Sequence, residues 1–144
     1  MFQKILVAVG LDDMCETVLA HAIALAGPAK GTCHLLHAIE PIEGADDDPE
    51  IRAFYEGLGQ RASERLAELE SRCCAAGLGC EATVRVGRRW EQIVGTAATW
   101  GADVIVVGSR PTVQRGQAHL GSTSHQVFFA ARCPVLVVRP KGGD

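Results

Sequence analysis

The sequence predicts an α/β domain: a doubly wound, open, parallel five-stranded sheet with helices on both faces. Three observations point to it. Five short apolar runs recur along the 144 residues: KILVAV (4–9), CHLLHAI (33–39), EATVRV (81–86), DVIVVG (103–108) and PVLVVRP (134–140). Two of them, ILVAV and VIVVG, are apolar almost throughout, the pattern of strands buried on both faces. The stretches between runs are long enough for the helical crossovers that parallel strands require.

The elements follow in order. The first run reads as a strand, because no cleavage site or leader-length apolar segment accompanies it. The first crossover begins at Asp12 and Asp13, and Asp13 with Glu16 has capping-box spacing. Leu19, Ala22, Ile23 and Ala26 then share one face, and Gly27-Pro28 stops the helix. The second crossover opens with the acidic loop EPIEGADDDPE (40–50), in which Asp46, Asp47 and Asp48 read as a solvated cluster. Its helix carries Ile51, Phe54, Tyr55, Leu58, Ala62, Leu66, Leu69 and Cys73 on a 3.6-residue period, with Gly57 and Gly59 weakening the first half. The third helix runs from about Trp90 to Trp100 and ends at Gly101; the fourth starts near Gly121 and ends at Arg132.

Residues 1–144 form one domain, since a chain of this length matches one unit of roughly 100–200 residues. A net charge of −3 and few aromatic residues argue against a nucleic-acid surface, and no apolar run approaches the roughly 18 residues that span a bilayer. The six cysteines at 15, 33, 73, 74, 80 and 133 contain no CxxC pair and no zinc spacing. They read as free, buried thiols, which places the chain in a reducing, cytoplasmic compartment. His34 and His37 have an odd offset on one strand and so point to opposite faces. GPAKGT (27–32) lacks Walker A spacing, and no GxSxG elbow occurs.

Open parallel sheets bind ligands beyond the carboxyl ends of their strands, where strand order reverses. The candidate segments are Gly10–Asp13, Ala38–Glu40, Gly87–Arg89 and Gly108–Leu120. The last is the most informative. Gly108-Ser109-Arg110-Pro111 leaves a strand, a polar stretch TVQRGQAHL (112–120) follows, and Gly121-Ser122-Thr123-Ser124 opens a helix. Unpaired N–H donors and a partial positive charge at that helix start favour phosphate. Ser122 or Thr123 as an ordinary cap explains the same residues.

The tail VIVVGSRPTVQRGQAHLGSTSHQVFFAARCPVLVVRP resembles the carboxyl-terminal signature of universal stress proteins, and KILVAVGLDD, LLHAIE and GADVIVVGS are similar too. The likeness spans essentially the whole chain. It implies the strand order 3-2-1-4-5. Nucleotide-binding members carry Gly, two residues, Gly, nine residues, then Gly-Ser or Gly-Thr. Gly108 and Gly121-Ser122 match that spacing, whereas the middle glycine is Pro111, which fixes φ and offers no N–H. Gly10 stands where such members usually place an aspartate, with Asp12 and Asp13 just beyond; Ala38 suits an adenine pocket.

The resemblance therefore implies a stress-response regulator, not an enzyme, that binds ATP or AMP, with or without magnesium. Gly121, Ser122, Thr123 and Ser124 would hold phosphates, Gly108 would lie near the ribose, Gly10 and Ala38 would border the base, and Arg110 or Arg115 would pair with phosphate oxygens. Nucleotide would order residues 109–120 and shift the population presented to a protein partner of unknown identity. The last strand, Pro134–Pro140, would pair with its symmetry mate in a homodimer. The alternatives are a dimeric interaction module of the same fold without nucleotide, and a slow nucleotide hydrolase.

Overall fold

The computed structural model of the chain describes residues 1–41, 48–109, 112–119 and 121–140. The strands of the main sheet are β1 (Lys4–Ala8), β2 (Thr32–Ile39), β3 (Gly79–Val86), β4 (Val104–Gly108) and β7 (Val135–Val138). The helices are α1 (Cys15–Ala26), α2 (Pro49–Ala75), α3 (Arg89–Trp100) and α4 (Ser122–Ala130). Two further short strands, β5 (Thr112–Gln114) and β6 (Gln117–His119), form a separate antiparallel pair. The five-stranded sheet is parallel throughout, in the order β3-β2-β1-β4-β7, so chain order reverses between β1 and β4.

Burial explains why the centre of β1, Ile5 to Val7, is apolar at every position. Ile5 and Val7 join one core with Val18, Leu19 and Ala22 of α1 and Leu66, Leu69 and Cys73 of α2. Leu6 points the other way, into a second core with Leu36, Ile105, Ile93 and Ala97 of α3 and Val127 of α4. Helices thus cover both faces, and a strand between two apolar layers has no side left for polar residues. Each fully buried Leu or Ile contributes about 1.5–3 kcal/mol.

Several boundaries differ from expectation for identifiable reasons. Met14 is the residue at the N-cap of α1, and no side chain caps that helix. The Asp12 carboxylate accepts the Met14 N–H at 3.0 Å instead, and Glu16, the other half of the expected capping box, is drawn to Arg72 (2.7 Å) and Arg65 (3.3 Å) of α2. Those guanidinium groups, Arg72 foremost, hold the Glu16 carboxyl below its ordinary pKa. Asp48 caps α2 by accepting the Glu50 N–H at 2.9 Å, and Pro49 occupies the first turn, where its missing N–H is harmless. Only Ala62, Leu66, Leu69 and Cys73 of that helix are buried; Phe54 is exposed, so the first half of its apolar stripe lies outside the core. α4 is shorter than expected, ending at Ala130.

Cys15, Cys33 and Cys73 are buried, Cys80 and Cys133 are half-buried, and Cys74 is exposed, which departs from the expectation of uniformly buried thiols. The stretch 112–119, read as a polar connection, contains a hairpin. Its two-residue turn has both Arg115 (φ 52°) and Gly116 (φ 76°) in the left-handed region, the geometry that twists with its flanking strands. At the opposite end of the sheet, the Asp103 carboxylate accepts the N–H groups of Lys4 and Gln3 at 2.9 Å each, which lowers its pKa and ties the entry of β4 to that of β1.

Candidate nucleotide-binding site

A cavity of about 400 Å³ lies at the carboxyl end of the sheet, at the β1/β4 reversal. Its position follows from topology. The segments leaving β1 and β4 turn to opposite faces, which leaves a crevice between them. The volume falls in the range of roughly 300–1,000 Å³ typical of small-molecule sites.

One wall comes from the end of β1 and the start of α1. Asp12 turns back over Gly10: its Oδ2 lies 3.3 Å from where a β-carbon at position 10 would stand. With Oδ1 accepting the Met14 N–H, the carboxylate is held in the cavity wall. A second wall is the end of β2, with His37 and Ala38. His37 Nδ1–H donates to the Val9 carbonyl at 2.7 Å, bracing β2 against the end of β1. His34 sits on the other face, its Nε2 2.6 Å from Thr83 Oγ1 and its ring edge-on to Trp100. Burial lowers its pKa.

The third wall joins β4 to α4. Gly108 is needed here whether or not a ligand is present, because a β-carbon at this position would stand 2.9 Å from Val18 Cγ2 and 3.4 Å from Met14 Cε. Ser109, only 4% exposed, accepts the Gly121 N–H on its Oγ at 3.0 Å, clamping the two ends of the hairpin segment together. α4 then begins at Ser122. His125 N–H is the first to close the helical pattern, onto the Gly121 carbonyl, so the N–H groups of Ser122, Thr123 and Ser124 lack helical partners. The Ser124 hydroxyl, 1% exposed, donates to the Gly121 carbonyl at 2.9 Å, which leaves Ser122 and Thr123 as the more available hydroxyls. Arg89, the first residue of α3, lies across the cavity beside Ile93, and its N–H donates to Glu40 at 3.1 Å.

Of the residues singled out from sequence, Gly10, Ala38, Gly108, Gly121, Ser122, Thr123 and Ser124 line this one cavity. Arg110 and Pro111 lie outside the described residues, as do Asp46 and Asp47. Arg115 sits in the hairpin turn and is not part of the lining. Sequence reasoning did not single out Ser109 or Arg89, and it left Asp12 without a role. Each had a weak signal: all three fall within four residues of a strand's carboxyl end. The lining combines N–H donors and hydroxyls, aliphatic side chains and a carboxylate, a set that suits an amphipathic anion with an apolar part.

Comparison with known proteins gives a single picture. Residues 1–139 match the model of the Universal stress protein family. The chain is 33% identical to universal stress protein A homolog 2 of Coxiella burnetii, over 98% of this chain and 97% of that one. Protein MJ0577 of Methanocaldococcus jannaschii superposes with a TM-score of 0.86 at 26% identity, covering 99% of each chain. A universal stress protein family protein of Arabidopsis thaliana with AMP bound superposes at 0.70 and 20% identity, covering 97% of this chain and 93% of that one.

Proposed function

The chain belongs to the universal stress protein family, and on that footing we propose that its cavity binds an adenine nucleotide, ATP or AMP, and that occupancy regulates contact with another protein. The observation that carries this reading is convergence. Gly108, Ser109 and the unpaired N–H groups opening α4 face one cavity at the strand-order reversal, where a phosphate meets both donors and the positive end of a helix. Ala38 and Gly10 border the flat part of the space, and Asp12 offers an acceptor to ribose hydroxyls. Binding of AMP by the plant relative supports the class of ligand. Among the described residues no three metal-ligating side chains converge, so magnesium would arrive on the phosphates.

We read the domain as a regulator rather than a catalyst. His37, the imidazole in the wall, is tied through Nδ1 to the backbone of Val9 instead of facing a reacting group. The hairpin segment is clamped at its base by Ser109 and Gly121 and pairs only within its own two strands rather than with the main sheet, which makes it the element that a bound nucleotide would hold in place. We also assign a homodimer through the segment Pro134–Pro140. β7 is an edge strand of the sheet, and the neighbouring α4 exposes Phe128 and Phe129, so an apolar surface continues beside an unpaired strand edge. Free thiols fit a cytoplasmic setting; among the described residues no helix is long and apolar enough to cross a membrane.

A dimeric module without nucleotide is the second reading, favoured by Gly10 and by Pro111 in the motif. Native mass spectrometry of the protein with added ATP or AMP separates the two. The first reading expects one nucleotide mass per protomer on a dimer; a bare dimer at saturating nucleotide overturns it.

A further inference from the structure

Three thiols meet at the end of the sheet opposite the cavity. Cys33 near the start of β2 and Cys80 near the start of β3 are register partners on adjacent parallel strands, so their side chains leave the same face. Cys73, in the last turn of α2, packs into the same core. Cys33 lies in that core with it, and Cys80 packs against the same cluster. A tight turn brings Cys73 and Cys80 together: Leu78 N–H donates to the Cys73 carbonyl, and Gly77 takes φ 79°. Cys33 and Cys73 are fully buried, while Cys80 keeps contact with solvent on the edge strand. The Cys33 and Cys80 S–H groups favour a Cys73 thiolate and pull its titration down; contact with Cys73 and burial push Cys80 up.

From this juxtaposition we propose that Cys73 and Cys80 are an oxidisable dithiol, a modification site for small peroxides that closes to an intramolecular disulfide. Cys80 is the entry sulfur because it is the one of the three that solvent reaches. As the Cys80 sulfur attacks one oxygen of hydrogen peroxide, its proton passes to the neighbouring Cys73 thiolate, the O–O bond breaks, and the hydroxide that leaves takes a proton from solvent to become water. The Cys73 sulfur then attacks the Cys80 sulfenic acid. The S–O bond breaks, and the departing hydroxide with the Cys73 proton makes the second water. Two thiols lose two electrons in all, and one peroxide is reduced to two waters. Cys33, the register partner of Cys80, is the third sulfur in this core and the competing partner for the disulfide. The product fastens the end of α2 to the edge strand β3, at a site separate from the cavity.

The test uses the full chain carrying Cys74→Ser, a change at an exposed position that removes the adjacent cysteine from the same tryptic peptide. Trypsin then releases residues 73–85 with two cysteines and residues 31–52 with Cys33. After excess hydrogen peroxide and alkylation in denaturant, the 73–85 peptide should lack both alkyl groups and be lighter by two hydrogens. Dithiothreitol should restore alkylation, and a further Cys80→Ser change should leave Cys73 alkylated in full. A 73–85 peptide alkylated twice after peroxide overturns the proposal. So does sulfinic or sulfonic acid at Cys80 without a disulfide, or cross-linking of 73–85 to 31–52 as the main product.

Discussion

Replacing Ser122 with Glu separates the helix from the ligand, because one charge has opposite effects on the two. Ser122 is the first residue of α4 and lies in the cavity wall. A carboxylate there faces the positive end of the helix and should stabilise the fold by about 0.3–1 kcal/mol. A nucleotide phosphate on the same N–H groups would stand about 5 Å from that carboxylate, where two unit charges repel by about 3 kcal/mol at an effective dielectric near 20. Solvent screening at an exposed site brings this to about 1.5–2.5 kcal/mol, a loss of roughly 10- to 70-fold in affinity. Thermal denaturation reads the first effect, and titration with ATP reads the second. A variant that melts no lower than the parent yet binds ATP within about twofold of it would refute placement of phosphate at this helix start. A neutral Ser122→Ala change, which keeps the backbone donors, should lose far less affinity than Ser122→Glu.

Further outcomes follow from the packing. Gly108→Val puts atoms into space already held by Val18 and Met14; thermal or urea denaturation should show a loss of about 1–3 kcal/mol even without nucleotide. Leu66→Ala, at a position 2% exposed, should cost about 2–5 kcal/mol in urea unfolding while the site, walled by other elements, still binds. Burial holds the folded pKa of His34 below its unfolded value, so the unfolded chain takes the proton first. Stability should therefore be intact above pH ~6.5, fall as pH drops below it, and level off under the folded pKa; His34→Gln should flatten that slope in denaturation curves measured between about pH 7 and 5. Asp103 has the carboxylate counterpart, with its pKa lowered by the Lys4 and Gln3 N–H groups. Its contribution should be present above pH ~4 and vanish as pH falls through the folded value, and Asp103→Asn should remove that part of the acid transition.

Most of the architecture was legible because ILVAV and VIVVG have no polar alternation to misread: strands sandwiched between two helical layers leave only one assignment. In the first half of α2 the apolar face was legible but its exposure was not, because periodicity reports a face, not what covers it; Phe54 keeps the period and remains exposed. The hairpin was missed because its turn is Arg115-Gly116 rather than the Asn-Gly or Asp-Gly that announces left-handed residues. The capping box failed because Asp12, one residue earlier than expected, took the first N–H, and because Glu16 had two guanidinium partners on a helix some fifty residues away. In the site, Gly108 and Gly121–Ser124 were recognisable by spacing. Ser109 was not, since its role is a single hydrogen bond across twelve residues that no local pattern encodes.

Calorimetric titration of nucleotide-stripped protein with ATP and with AMP, each with and without magnesium, tests the central claim most directly. The account predicts saturable heat at micromolar nucleotide with one site per protomer. No saturable heat up to millimolar nucleotide would contradict it and leave the fold as a protein-interaction module whose cavity serves no adenine ligand.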